Sequence, residues 1–164
     1  MTARHTLIDS PVGPLLLTAD EDAVTGLYFQ PHRHPPADGS LGERTSEGFD
    51  DVARQLAEYF SGERREFDLL LEPAGNDFQK KVWLLLREIP YGETRSYGQL
   101  ATTLGDINLA RAVGTANGRN PISIIVPCHR VIGADGNLTG YGGGLDRKRF
   151  LLQLEEPPNE NRLF

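Results

Sequence analysis

The chain is predicted to be an α+β protein in two parts. Residues 1–72 form a small N-terminal unit with an antiparallel sheet, and residues 76–164 form a mostly helical C-terminal unit with a helix-turn-helix pattern and the single cysteine, Cys128. Three observations predict this. Short apolar runs alternate with tight turns over residues 4–30, as in a β-meander. Pro73-Ala74-Gly75 then interrupts the chain as a linker. Beyond it, apolar residues recur at helical spacing behind residues suited to helix caps.

In order, residues 5–8 lead into a Pro11/Gly13/Pro14 turn, residues 15–18 into an acidic Asp20-Glu21-Asp22 turn, and residues 24–29 complete the meander. Residues 30–48, rich in Pro, Gly and His, read as a loop. His32 and His34 lie in it without a thiolate or carboxylate partner nearby, a weak pattern for a metal site. Val52, Leu56, Tyr59 and Phe60 give residues 49–60 helical spacing, and Ser61-Gly62 ends that helix. Residues 67–71 suit one more strand. Nothing in this half carries chemistry, and it reads as a scaffold.

After the linker, Asn76 with Gln79 three positions on makes a capping box. Phe78, Val82, Leu85, Leu86 and Ile89 follow as a core-facing stripe, with Trp83 read as packing, until Pro90-Tyr91-Gly92 breaks the helix. Ser96 or Thr94 opens a second helix through Tyr97, Leu100, Ala101 and Leu104; Gly105 ends it, and residues 108–118 form a third. Two short helices joined by a tight glycine turn make a helix-turn-helix pattern. In the third helix Leu109, Val113 and Ala116 suit the core, whereas Arg111, Gly114, Thr115 and Gly118 make a smooth outer face with one long cation. Recognition helices that read the major groove carry long polar side chains. This face has almost none, which argues against a sequence-specific regulator and suits close approach in a minor groove.

Residues 120–145 organise the rest. An apolar run (Ile122, Ile124, Ile125, Val126) precedes Pro127 and Cys128, and a loop with Gly133, Gly136, Gly140, Gly142, Gly143 and Gly144 follows. Free cysteine is usually inert core filler. Here His129 and Arg130 adjoin it, and positive neighbours favour thiolate. The last helix, residues 149–155, is read with Phe150, Leu151 and Leu154 inward, which by pattern alone leaves Glu155 as a solvated charge.

Composition narrows the function classes. One cysteine among 164 residues excludes an internal disulfide and any zinc site of several thiolates, and a lone thiol suits a reducing compartment, so the expected location is the cytoplasm. No apolar run approaches the roughly 18 residues that suggest a membrane span, and the first residues lack the apolar stretch of a signal peptide. The net charge of −6 looks unfavourable for nucleic acid, but residues 1–75 carry −8 and residues 76–164 carry +2. Between Ile107 and Phe150, six basic residues face only Asp135 and Asp146. The C-terminal half therefore suits an anionic partner bound with modest, salt-sensitive affinity.

Pro127-Cys128-His129-Arg130-Val131 resembles the signature of the O6-alkylguanine-DNA alkyltransferases, which repair alkylated guanine by moving the alkyl group to a cysteine. The likeness runs from about Gly75 to Glu155. It takes in Phe78-Gln79, Val82-Trp83, Ile89-Pro90-Tyr91-Gly92, Ser96-Tyr97, Ala110-Arg111-Ala112-Val113-Gly114, Asn120-Pro121 and Gly140-Tyr141-Gly142-Gly143-Gly144, in the family's order. The resemblance implies a ribonuclease-H-like N-terminal domain and a suicide reaction of one alkyl group per molecule. No cofactor or metal is needed, and the free protein is expected to be a monomer. The implied partner is duplex DNA holding O6-alkylguanine, or O4-alkylthymine, bound through the minor groove with the damaged nucleotide flipped out.

The resemblance also assigns roles. Cys128 is the nucleophile, served by a relay of water, His129 and Glu155, while Asn120 orients the water and links the recognition helix to an active-site strand. Val131 lines the pocket, Tyr141 lies against the flipped base, and Lys148 matches a lysine near the pocket. Arg111 enters the base stack, Tyr97 presses on the 3′ phosphate, and Gly114 and Thr115 meet the DNA. Arg130 is read as a structural ion pair. Ser123 stands where some members carry proline, which implies a wider pocket. The alkyltransferase-like sensors carry tryptophan in place of the thiol, so Cys128 favours the enzyme. Cysteine hydrolases bring their histidine from a distant segment, unlike the adjacent His129.

Overall fold

The computed structural model of the chain describes residues 3–30, 41–133, 141 and 144–156. His32 and His34, together with Gly136, Gly140, Gly142 and Gly143 of the glycine-rich loop, lie outside them. The meander forms as expected: β1 (Arg4–Ile8), β2 (Leu15–Asp20) and β3 (Ala23–Phe29) pair antiparallel in sequence order. Leu15 and Leu17 of β2 are fully buried because the strand lies inside the sheet, with the order β3-β2-β1-β4. The fourth strand, β4 (Glu43–Arg44), departs from the loop expected there and pairs parallel with β1. Gly42 allows this: it has φ +71°, and a Cβ on it would lie 1.9 Å from the carbonyl oxygen of Ala3.

Helix α1 (Asp50–Phe60) turns Val52, Leu56 and Tyr59 into the core at the expected spacing. Residues 67–71 do not become a strand. The buried Gln55 side chain takes over the pairing at Asp68, donating to its carbonyl (3.0 Å) and accepting from its amide (2.9 Å). Only Leu71 then bridges to Val24.

Helix α2 (Asp77–Arg87) starts on the expected capping box, with the Gln79 amide donating to Asn76 Oδ1 (2.8 Å) and the Asn76 amide to Gln79 Oε1 (3.0 Å). Trp83 is buried and donates from its indole N–H to the carbonyl of Ala116 (2.9 Å), which fixes α2 against the third helix of this half. Between them, β5 (Arg95–Ser96) is followed at once by α3 (Tyr97–Thr103), where Ser96 and Gln99 form a second capping box. A single turn at Ile107–Leu109 leads into α4 (Ala110–Gly118). Val113, Ala116 and Asn117 of α4 face inward and Arg111 and Thr115 outward, with Leu109 half-buried. A two-stranded parallel ladder joins β5 to β6 (Val131–Ile132), and α5 (Leu145–Glu155) closes the described chain.

One apolar core spans both halves. The joint is β3: Leu27 donates its amide to Pro121 (2.8 Å) and accepts from the amide of Ser123 (3.1 Å). From the other side Arg147 of α5 donates to the carbonyls of Val12 (3.1 Å) and Gln30 (2.9 Å) and lies over the Phe29 ring. The N-terminal sheet therefore braces the segment that precedes the cysteine. No helix among the described residues is long and apolar enough to cross a membrane.

Candidate active site

The apolar run before Cys128, where the resemblance implies an active-site strand, is a series of tight turns. Only Ile122 makes a sheet-like bridge, to Leu27, and Ile124 takes φ +71°. Asn120 explains why. Its buried amide accepts from the Ile122 N–H (3.0 Å) and donates to the Val126 carbonyl (2.9 Å), pairing backbone groups that a strand neighbour would otherwise pair. The amide of Val126 turns back to Ile122 (3.0 Å), and Cys128–Arg130 form one turn of 3₁₀ helix. Asn117 of α4 donates to the Cys128 carbonyl (3.3 Å), so two asparagines hold the turn from opposite sides.

His129 and Arg130 point away from solvent, toward α5. His129 Nε2 lies 2.7 Å from Glu155 Oε2; Arg130 donates from Nε to Oε1 (2.7 Å), from Nη2 to Oε2 (3.0 Å) and from Nη1 to the Ile89 carbonyl (2.6 Å). Arg130 thus has the structural ion pair expected of it. Glu155 is 2% exposed, against its expectation as a solvated charge. Burial alone would raise its pKa, but hydrogen bonds and charge from His129 and Arg130 hold it at about 2. A carboxylate can only accept, so His129 Nε2 must carry the proton and Nδ1 is left as the basic nitrogen. That Nδ1 is buried with no hydrogen-bond partner among the described residues.

The sulfur itself is nearly enclosed, at 4% exposed. Burial pushes the Cys128 thiol up, and the opposing influence of Asn120, Tyr141 and Lys148 does not reverse this. Burial likewise pushes His129 down, opposed by Glu155 and reinforced by Arg130 and Lys148, so its ring is neutral. The expectation that flanking cations make a resting thiolate is thus corrected. The neighbouring imidazole carries no charge, and Arg130 spends its charge on Glu155. The site holds a thiol beside a neutral base.

Two further side chains close on the sulfur. The Tyr141 hydroxyl is buried without a formed hydrogen bond among the described residues, yet Cys128 contributes to raising its pKa, after burial. Lys148 is fully buried, and burial lowers its pKa to about 8 while the Cys128 charge works the other way. Lys148 and Glu155 join the expected Leu151 as the buried residues of α5, with Leu154 packed half-buried against the core as expected and Phe150 turned outward. Phe150 is 36% exposed. The physical reason is that two charged residues take buried positions because partners wait for them there. Val131 is fully buried in β6.

The structure therefore brings Cys128, His129, Glu155, Asn120, Tyr141 and Lys148 together. Tyr97, Arg111, Gly114 and Thr115 form a separate group on the α3–α4 surface, where the Gly114 backbone meets the Tyr97 ring; a Cβ there would lie 3.6 Å from it. Asn117, on the buried face of α4, ties that helix to the Cys128 turn. Sequence reasoning missed Asn117 and also Tyr59, which it placed only in the core. Tyr59 donates to Glu155 Oε2 at 2.5 Å. No local signal distinguished that tyrosine from its apolar neighbours.

A buried cysteine with a histidine–carboxylate pair behind it, mounted beside a small two-helix unit, defines a protein with a cysteine nucleophile and a built-in base. Comparison with known proteins narrows the class. Residues 3–73 match the family model for the 6-O-methylguanine DNA methyltransferase ribonuclease-like domain, and residues 77–157 match that for its DNA-binding domain. A methylated-DNA–protein-cysteine methyltransferase of Methanosarcina acetivorans is 50% identical over 92% of this chain and 97% of its own length. One of the same name from Mycobacterium tuberculosis is 52% identical over 93% and 92%. The crystal structure of Mycobacterium tuberculosis OGT in complex with DNA superposes with a TM-score of 0.89 at 51% identity, covering 93% of this chain and 92% of that one. The chain belongs to the 6-O-methylguanine DNA methyltransferase family.

Proposed function

We propose that this protein repairs duplex DNA by taking the alkyl group of an O6-alkylguanine onto Cys128, once per molecule. The observation that carries the reading is the Cys128–His129–Glu155 arrangement, in a chain about half identical to proteins named methylated-DNA–protein-cysteine methyltransferase. His129 Nδ1 accepts the thiol proton through one bridging water, while its Nε2–H stays on Glu155, whose negative charge stabilises the imidazolium that results. The sulfur attacks the alkyl carbon, the S–C bond forms as the C–O6 bond breaks, and the electron pair returns to the guanine. The base then takes up one proton, equal to the one the thiol gave up. Asn120 orients the water, and Tyr141 and Lys148 stabilise charge as it develops at the sulfur and on the base. Val131 lines the pocket. The thioether has no leaving path, so the protein is spent.

The lesion reaches the sulfur only if the nucleotide leaves the stack. The α3–α4 pair acts as a helix-turn-helix in the minor groove. Arg111 fills the space left by the flipped base, Tyr97 presses on the neighbouring phosphate, and Gly114 and Thr115 allow the backbone to approach. The free protein acts as a monomer, and O4-alkylthymine is a further candidate substrate. A Cys128→Ala variant tests the division of labour. It should bind lesion duplex like the wild type and transfer nothing; transfer that persists without the thiol would overturn the reading.

A further inference from the structure

The buried carboxylate of Glu155 has a third donor besides His129 and Arg130. It comes from the other half of the chain, 96 residues away in sequence. Tyr59, on α1, donates its hydroxyl to Glu155 Oε2, the same oxygen that accepts from His129 Nε2. Its ring is fully buried and wedged against Phe60, Phe67 and Tyr91 at centroid distances of 5.4, 5.4 and 6.2 Å. It therefore has little freedom to turn away. Burial, followed by the Glu155 charge, raises its pKa far above the ordinary range, so the phenol keeps its proton and remains a donor.

We infer that Tyr59 is a positioning residue for alkyl transfer, through which the N-terminal half sets the basicity of His129. The inference rests on reading Cys128, His129 and Glu155 as the relay. His129 and Tyr59 share one oxygen of Glu155. A carboxylate oxygen that already accepts from a phenol is a weaker acceptor for a second donor, so it draws a proton onto the imidazole less strongly. Every other group facing the pair is fixed by the fold. His129 meets Glu155 and Lys148 from α5 and Arg130 from its own turn; Glu155 meets Arg130, His129, Tyr59 and the more distant Tyr91. Removing the Tyr59 hydroxyl leaves more charge on Oε2 for His129, raises its pKa, and lowers the fraction of neutral base on the acid side.

The test is Tyr59→Phe, which keeps the ring packing and leaves Glu155 paired with Arg130, so no buried charge is orphaned. The rate of transfer from free O6-benzylguanine is measured against pH beside wild type, with lesion-duplex affinity as a control. The acid limb should move up by about one pH unit, so that transfer on that limb falls about tenfold, the worth of one hydrogen bond to a charged group. The plateau above it and the DNA affinity should match wild type. A merely structural tyrosine would lower the melting temperature without moving the limb, and a superimposable pH profile overturns the inference. Should Tyr59→Phe fail to fold, proton NMR of tyrosine-labelled wild type decides. A slowly exchanging Tyr59 hydroxyl proton close to the His129 ring supports the inference, and a freely exchanging one overturns it. Wild type that yields no adduct at Cys128 would defeat the parent reading instead, which separates the two failures.

Discussion

Glu155 carries more of the site than any other side chain, because three donors from two parts of the chain, Tyr59 of α1 and the adjacent His129 and Arg130, converge on its two oxygens. Glu155→Gln removes the charge that balances buried Arg130, and breaking a buried pair from one side costs about 3–5 kcal/mol. Alkyl transfer should fall with it by about 10²–10⁴-fold, as the base loses support. Urea denaturation and single-turnover kinetics read the two effects separately. The same carboxylate fixes an acid sensitivity. Its pKa of about 2 in the folded protein lies below its ordinary value of 4.5, so its stabilisation is fully present above that value and drains away as pH falls toward about 2. The loss amounts to roughly 3 kcal/mol, and denaturation curves collected across that window should show it in wild type and not in Glu155→Gln.

At this scale the nucleophile and its histidine were legible, since a lone thiol beside His129 and Arg130 is rare enough to draw notice. Glu155 and Lys148 were not legible from pattern. Hydrophobic spacing assigns the inner face of the helix to Phe150, Leu151 and Leu154, of which Phe150 turns outward, and only the partners supplied by other segments draw a charged pair inward. Tyr59 was hidden for the opposite reason: an aromatic ring in an apolar stripe looks complete without its hydroxyl.

Among the elements, the capped helices were the most legible because their signals are local. Asn76 with Gln79 and Ser96 with Gln99 satisfy each other's backbone groups within four residues, whatever the rest of the fold does. The turn before Cys128 was the least legible. An apolar run looks like a strand until a side chain such as Asn120 takes its backbone partners. Close packing beside the linker makes a specific prediction. A Cβ on Gly75 would lie 2.5 Å from the Trp83 ring, so Gly75→Ala should cost about 1–3 kcal/mol, read as a lower melting temperature. The α3–α4 surface makes another. Arg111 is exposed on the outer face of α4, so Arg111→Ala should slow transfer from duplex DNA while leaving transfer from free O6-benzylguanine at the wild-type rate. Equal losses on both substrates would show that Arg111 acts on the chemistry.

Across the whole molecule, the two halves divide charge but share a core. The acidic N-terminal half carries −8, yet its β3 braces the segment before Cys128 and its α1 reaches Glu155. The boundary at residues 73–75 was visible as a change of composition. The joint across it was not, because contacts between Leu27 and Pro121 or Tyr59 and Glu155 leave no mark at short range. The fold thus encloses one thiol beside a neutral base and leaves Arg111 and Thr115 exposed on the outer face of α4. The most direct measurement of the central claim is an intact-mass spectrum after mixing the protein with a duplex holding one O6-methylguanine. The expected result is a gain of one methylene's mass that maps to the peptide containing Cys128 and stops at one equivalent however much duplex is added. An unchanged mass with the lesion duplex bound, or a methyl group on any other residue, would contradict it.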